Sequence, residues 1–243
     1  MSGTVLEFDE SDLRSIPPTR TSLLARAKAG DGDALAQLAR WYRPPLLRFV
    51  ETRGFCHSDA EDLVQEVLTR VLVERAALER VDLARGRFRS FVLGVAKNVM
   101  REWARRNPRH APLLDGGIDK AAAEIDPDAG FEIARARVLV EEALETLRSN
   151  HPAEWFVFDL RARNKSYREI AEIYDRRHAD VAGRERLTRE YIDNKYRKAK
   201  DIVRRFIVSR LADEAATADE VREEIRLLKP YMAQVWPHPE MPA

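Results

Sequence analysis

From residue 21 onward, apolar side chains recur at three- and four-residue intervals in one segment after another. That spacing builds helices with one buried face. In 59–72 (DAEDLVQEVLTRVL), Leu63, Val67 and Val71 recur at i+4, as do Val64, Leu68 and Leu72. Phe88, Phe91, Val92, Val95, Ala96, Val99 and Trp103 form a second stripe. Ile192, Tyr196, Ala199, Val203 and Phe206 form a third, and Val221, Ile225, Leu228, Met232 and Val235 a fourth. No run alternates apolar and polar positions with β-branched enrichment, so strands are not expected. The expected fold class is all-α.

Turn signals divide the helices into two blocks. Residues 1–20 end in Ile16-Pro17-Pro18 and are expected to be a flexible tail. The first block covers 21–107. Thr21 or Ser22 caps a short helix ending near Gly30, and Asp31-Gly32-Asp33 is a turn with a cap for the next. That helix carries Leu38, Tyr42 and, past a break at Pro44-Pro45, Leu46 and Phe49, and Gly54 ends it. Ser58 or Asp59 caps a long helix to about Ala77, and a last helix spans about Phe88 to Arg106. Residues 108–134 hold Pro108, Pro112, Gly116-Gly117, Pro127 and an acidic excess, and are expected to be a flexible linker. The second block, 135–211, is again helical, with packing helices at 138–147 and 155–160. A C-terminal extension, 212–243, holds an amphipathic helix that Pro230 should end or kink. The architecture expected is two small helical domains joined by an acidic linker.

Composition narrows the function classes. The 243 residues leave room for one or two compact domains. Cys56 is the one cysteine, so no intrachain disulfide forms, and Cys56-His57 lacks a second pair at ligand spacing. No metal site and no cofactor is expected. The N-terminal stretch is acidic without an apolar core, and no apolar run is long enough to span a membrane, so a cytoplasmic protein is expected. No P-loop or HExxH pattern is present and the histidines are scattered, so no enzyme and no catalytic residue is expected.

Net charge is only +1, but the charges are segregated. Between 84 and 110, Arg85, Arg87, Arg89, Lys97, Arg101, Arg105, Arg106 and Arg109 face one acid, Glu102. Residues 161–210 carry roughly twice as many basic as acidic side chains. Two basic surfaces joined by an acidic linker suggest two contacts with a polyanion. Off the apolar stripe of 59–72 lie Glu61, Asp62, Gln65 and Glu66, an acidic, amide-bearing face for a partner. In 87–106 the outer arc holds Lys97, Asn98, Arg101, Arg105 and Arg106. Such cations neutralise phosphates, and an asparagine can pair with a base edge. Phe91 and Trp103 belong to the core, whereas Phe88, beside the Arg85-Gly86-Arg87 turn, is the better placed to touch a base.

These stretches, DAEDLVQEV and then GRFRSFVLGVAKNVMREWARR, resemble region two of bacterial RNA polymerase sigma factors, and LLARAKAGDGDALAQLARWYRPPLLRFV is similar to that region's first helices. The likeness is to the small, two-domain extracytoplasmic-function (ECF) type. It implies that Asp62, Gln65 and Glu66 bind the β′ clamp of core RNA polymerase. It also implies that Arg87, Phe88, Arg89, Lys97, Asn98, Arg101 and Arg105 handle minus-ten promoter DNA. In the second block, Ser166 and Glu169 form a capping box opening SYREIAEIY. A basic amphipathic helix follows, capped by Thr188. The pair fits a helix-turn-helix. It resembles sigma region four, which implies minus-thirty-five contacts from Ser166, Tyr167, Arg189, Asn194, Lys195, Arg197 and Lys198, and a contact with the β flap. An anti-sigma factor is a further partner expected of the family.

The sequence departs from that pattern in three places. Residues 175–186 make the turn of the helix-turn-helix longer than the usual tight turn. Read as a basic wing, this insertion adds phosphate contacts; otherwise it loosens the motif. Asp193 places a carboxylate near expected phosphates, and the extension continues past Leu211. The extension either packs on the second domain or shields a basic face. Two other functions stay open: a stand-alone helix-turn-helix regulator, which leaves 59–72 unexplained, and a sigma-like adaptor that binds only proteins.

Overall fold

The computed structural model describes residue 8 and residues 23–73, 88–108, 127–177, 187–215 and 217–235. Among these it holds nine α-helices and no strand, as the helical periodicity requires. The first four are α1 (Leu23–Lys28), α2 (Gly32–Thr52), α3 (His57–Leu68) and α4 (Phe88–Arg106). A π-helical turn, Thr69–Val73, prolongs α3. The rest are α5 (Pro127–Asn150), α6 (Pro152–Ala162), α7 (Tyr167–Arg177), α8 (Arg189–Glu214) and α9 (Ala218–Val235).

Local chemistry sets the helix ends. Asp31 Oδ1 accepts from the amides of Asp33 and Ala34 at 3.0 and 3.1 Å, capping α2. The Ala34 amide, then Arg26, holds the Asp31 carboxyl below its ordinary range. Gly30 and Gly54 close the turns after α1 and α2 with φ of 88° and 89°, where a side chain would be strained. Thr188 caps α8 through the Tyr191 amide at 3.1 Å. At α3 the expected cap differs: Cys56 occupies the N-cap position, its side chain capping no backbone amide, so the helix starts before Ser58. The break expected at Pro44-Pro45 does not occur either. α2 runs through both prolines and forgoes the two N–H bonds they cannot donate. Burial of Tyr42, Leu46, Phe49 and Val50 along the unbroken helix offsets that loss. α9 likewise continues through Pro230, with Met232 buried beyond it.

Three apolar clusters result. The first joins α1 to α4 around Leu38, Leu46, Phe49, Val67 and Ala96. The second joins α5, α8 and α9 around Leu144, Val203, Ile207 and Leu228. The third, smaller, ties α6, α7 and α8 through Val157, Leu160, Ile170 and Ile192. α5 links the blocks. Its first turns, 127–134, fall inside the expected linker, yet they are helical, and Phe131 is buried in the first cluster. The Phe131 ring meets Phe49 edge-on at 5.9 Å. Phe131 escaped the periodicity because a proline and a glycine precede it. Residues 109–126 of the expected linker, 74–77 of the expected long helix and most of the N-terminal tail lie outside the described residues. Phe8 of that tail packs against the second cluster. α9 packs on α5 and α8, so the extension covers apolar surface of the second block.

Phe131→Ala should therefore destabilise the whole chain by about 3–5 kcal/mol, the usual cost of emptying a buried phenylalanine site. Val73→Ala, at a side chain 71% exposed, should stay within about 0.5 kcal/mol. Urea unfolding of both variants measures the contrast.

Candidate functional site

On α3, Asp62, Gln65 and Glu66 are exposed on one face while Leu63, Val64, Val67 and Leu68 are buried. Ion pairs to neighbouring helices fix the surroundings of this face. Arg43 of α2 donates to Glu61 at 2.7 Å. Arg70 donates to Glu66 at 2.8 Å and reaches both oxygens of Glu102 on α4, at 3.2 and 2.8 Å. Arg70 holds the Glu102 carboxyl below its ordinary range, and Glu102 holds the guanidinium more firmly protonated. Beside Gln65 opens an apolar cleft of about 410 Å³, lined by Leu35, Ala39, Leu68, Leu72 and Val73 among others. The face is thus acidic at its exposed ridge and apolar at its edge, which suits a protein partner with basic and apolar side chains.

α4 splits in two. Asn98, Arg101, Arg105 and Arg106 are exposed, and Lys97 is half-buried. Arg101 Nη1 lies 3.4 Å from Asn98 Oδ1, so cation and amide share one surface. Phe91 and Trp103 are half-buried against the first cluster. The start of the helix departs from expectation. Phe88 is buried edge-on against Tyr42, with centroids 5.2 Å apart, and offers no face to a base. Arg89 is also buried, with its guanidinium between Glu132 of α5 and Glu224 of α9. Helical spacing placed Phe88 on the stripe, and Arg89 lies one turn from the buried Val92 and Leu93. Burial of both therefore follows from the register of α4. Arg87 and the insertion at 178–186 lie outside the described residues.

Arg89 belongs to a larger ionic junction. Arg135 donates to Glu214 at 2.7 Å and to Glu224 at 2.9 Å. Tyr42 donates its hydroxyl to Glu214 at 3.1 Å. Arg210 donates to Glu214 at 3.2 Å and lies over the Trp41 ring. Burial, and then the charge of Glu214, raise the Tyr42 phenol well above its ordinary range, so it remains a donor. Burial works against the Arg135 charge, but Glu214 and its neighbours overcome it and keep the guanidinium protonated. The periodicity reading missed this junction. Its signal is a charged side chain on an apolar stripe: Arg135 lies four residues from both Phe131 and Leu139, and Glu224 lies between Val221 and Leu228.

The second basic surface is built on α7 and α8. Ser166 and Glu169 form the expected reciprocal box: the Ser166 amide and hydroxyl both donate to Glu169 at 2.8 Å, and the Glu169 amide lies 3.3 Å from the hydroxyl. Tyr167 is held between the guanidiniums of Arg161 and Arg189, each 4.8 Å from its ring, and donates its hydroxyl to Asp193. That carboxylate is therefore engaged from two sides, Arg189 being 3.8 Å away, which reduces its repulsion of a phosphate. Arg189, Asn194, Arg197 and Lys198 are exposed, and Lys195 is half-buried. Buried Glu154 of α6, which sequence reading did not single out, anchors Lys195 at 2.9 Å and Lys198 at 3.0 Å. Burial favours its neutral form, but the two lysines prevail and lower its pKa from 4.5 to about 2.

A carboxyl with a depressed pKa stabilises the fold above its unfolded value and loses that contribution as pH falls. The Glu154 contribution should be complete above pH 4.5 and vanish toward pH 2. The stability gap between the native chain and Glu154→Gln, followed by thermal melting, should shrink across that window.

Among the described residues no helix is long and apolar enough to cross a membrane. Likewise no group of three or more His, Cys, Asp or Glu side chains could hold a metal ion. No curated protein and no solved structure matches the chain. One family model does: sigma-70 region 2 matches residues 38–110, from the middle of α2 past the end of α4. The exposed face of α3 and the split face of α4 thus lie within the segment that is similar to sigma-70 region 2.

Proposed function

We propose that this protein is a cytoplasmic sigma factor of the ECF type, which docks on core RNA polymerase and carries it to a two-element promoter. The observation that carries this function is the sigma-70 region 2 match over 38–110 together with the exposed Asp62, Gln65 and Glu66 ridge inside it. In this function the ridge binds the β′ clamp. Lys97, Asn98, Arg101 and Arg105 meet minus-ten DNA, joined by Arg87, and by Phe88 and Arg89 once the start of α4 is uncovered. Ser166, Tyr167, Arg189, Asn194, Lys195, Arg197 and Lys198 meet the minus-thirty-five element from a helix-turn-helix made of α7 and α8, which also engages the β flap. Each DNA contact is weak alone, and tethering both to one polymerase makes them specific through effective concentration. An anti-sigma partner, the 176–186 wing and the extension past Leu211 are the places where regulation would enter. The burial of Phe88 and Arg89 favours a second function, an adaptor that binds polymerase but reads no DNA.

Fluorescence anisotropy of the labelled chain with purified bacterial core polymerase should show saturable binding. Asp62→Arg/Glu66→Arg should weaken it about 100-fold, since reversing two charges opposes a complementary surface. Unchanged affinity in the folded double variant would sink the docking assignment. With polymerase present, Arg197→Ala/Lys198→Ala should flatten the log–log salt dependence of DNA binding by about 0.9 for each phosphate no longer neutralised. An unchanged slope favours the adaptor.

A further inference from the structure

We propose that the ionic junction is a latch, in which Glu132 and Glu224 hold the Arg89 guanidinium in the place a nucleic-acid phosphate would take. The fold keeps Arg89 closed until α5 and α9 part from α4. The inference rests on the sigma-type function above.

Arg89 is only 8% exposed. Its Nε lies 3.3 Å from Glu132 and its Nη1 lies 3.1 Å from Glu224. Carboxylate and phosphate take a guanidinium through the same charge-assisted geometry, so one can replace the other. Farther along α4, Asn98, Arg101 and Arg105 are exposed. A single helix therefore presents an open basic end and a closed one. Phe88 shares the closed end, packed on Tyr42, whose hydroxyl binds Glu214 in the same junction. The carboxylates come from the two helices α5 and α9, which follow the first block, so their separation from α4 frees Arg89.

The junction is suited to opening as well as to closing. A buried ion stripped of its partner carries a large penalty, which would normally forbid separation. Here Glu224 also holds Arg135 at 2.9 Å, and Glu132 lies 3.9 Å from the same guanidinium. Arg89 can leave without orphaning either carboxylate, and nucleic-acid phosphates replace them on Arg89. For the Arg89 guanidinium, opening thus exchanges one set of anionic partners for another.

The test uses the full chain and a fluorescent duplex of random sequence with a central unpaired stretch. Glu224→Gln and Glu132→Gln/Glu224→Gln should bind this probe about tenfold tighter than the native chain, because apparent affinity scales with the open fraction. Adding Arg89→Ala should remove the gain. No gain in a folded variant, or a gain that survives Arg89→Ala, overturns the latch. A second readout keeps the native charges of the junction: dyes on Cys56, which is exposed, and on Lys229→Cys of α9. Energy transfer should fall when the probe saturates the protein, and unchanged transfer at saturation overturns the latch even if the glutamine variants do not fold. Core polymerase binding separates the two failures. Polymerase bound with no probe gain removes the latch alone, whereas a native chain that binds neither polymerase nor probe removes the sigma-type function and the latch with it.

Discussion

Arg135 imposes the constraint on which the arrangement depends. A guanidinium taken out of water costs several kcal/mol unless carboxylates surround it. Glu214 and Glu224 meet that demand directly, and they come from α8 and α9, far along the chain. Arg89 of α4 and Arg210 of α8 are buried beside it, so three guanidiniums meet Glu132, Glu214 and Glu224. Such pairs add little net stability over apolar packing, but separating them badly is expensive. Their effect is to specify one arrangement: α2, α4, α5, α8 and α9 meet in a single register. Phe131 and Leu228 then supply the apolar burial on either side.

This constraint sets what the surfaces offer. The ridge of α3 and the exposed end of α4 take no part in the junction and remain open, both inside the sigma-70 region 2 segment. The start of α4 is drawn inward. In the second block, Glu154 acts on a smaller scale, turning two lysines of α8 toward α6 while Arg197 and Asn194 stay outside that anchor. A carboxylate behind a basic face fixes where the cations stand before any phosphate arrives.

Much of the fold was legible because helices write their buried faces at fixed intervals. Phe88 to Arg106 matched its expected bounds, and the boxes and caps at Asp31, Ser166 and Thr188 followed from short-range chemistry. Pro44-Pro45 misled, because local propensity was overridden by the burial of one continuous face. Pro127 and Gly130 misled for the same reason, hiding a helix that Phe131 anchors. The candidate site was legible where its residues lie off the stripe: Asp62, Gln65, Glu66, Asn98 and Arg101. It was not legible at Arg89, whose partners Glu132 and Glu224 lie 43 and 135 residues away. No local pattern carries a pairing at that separation.

Run-off transcription with core polymerase, this chain and a library of randomised upstream sequences tests the central claim most directly. The account predicts transcript starts that depend on the added chain and share two upstream sequence elements at a fixed spacing. Starts without a shared element, or none at all from a chain that binds polymerase, would contradict it.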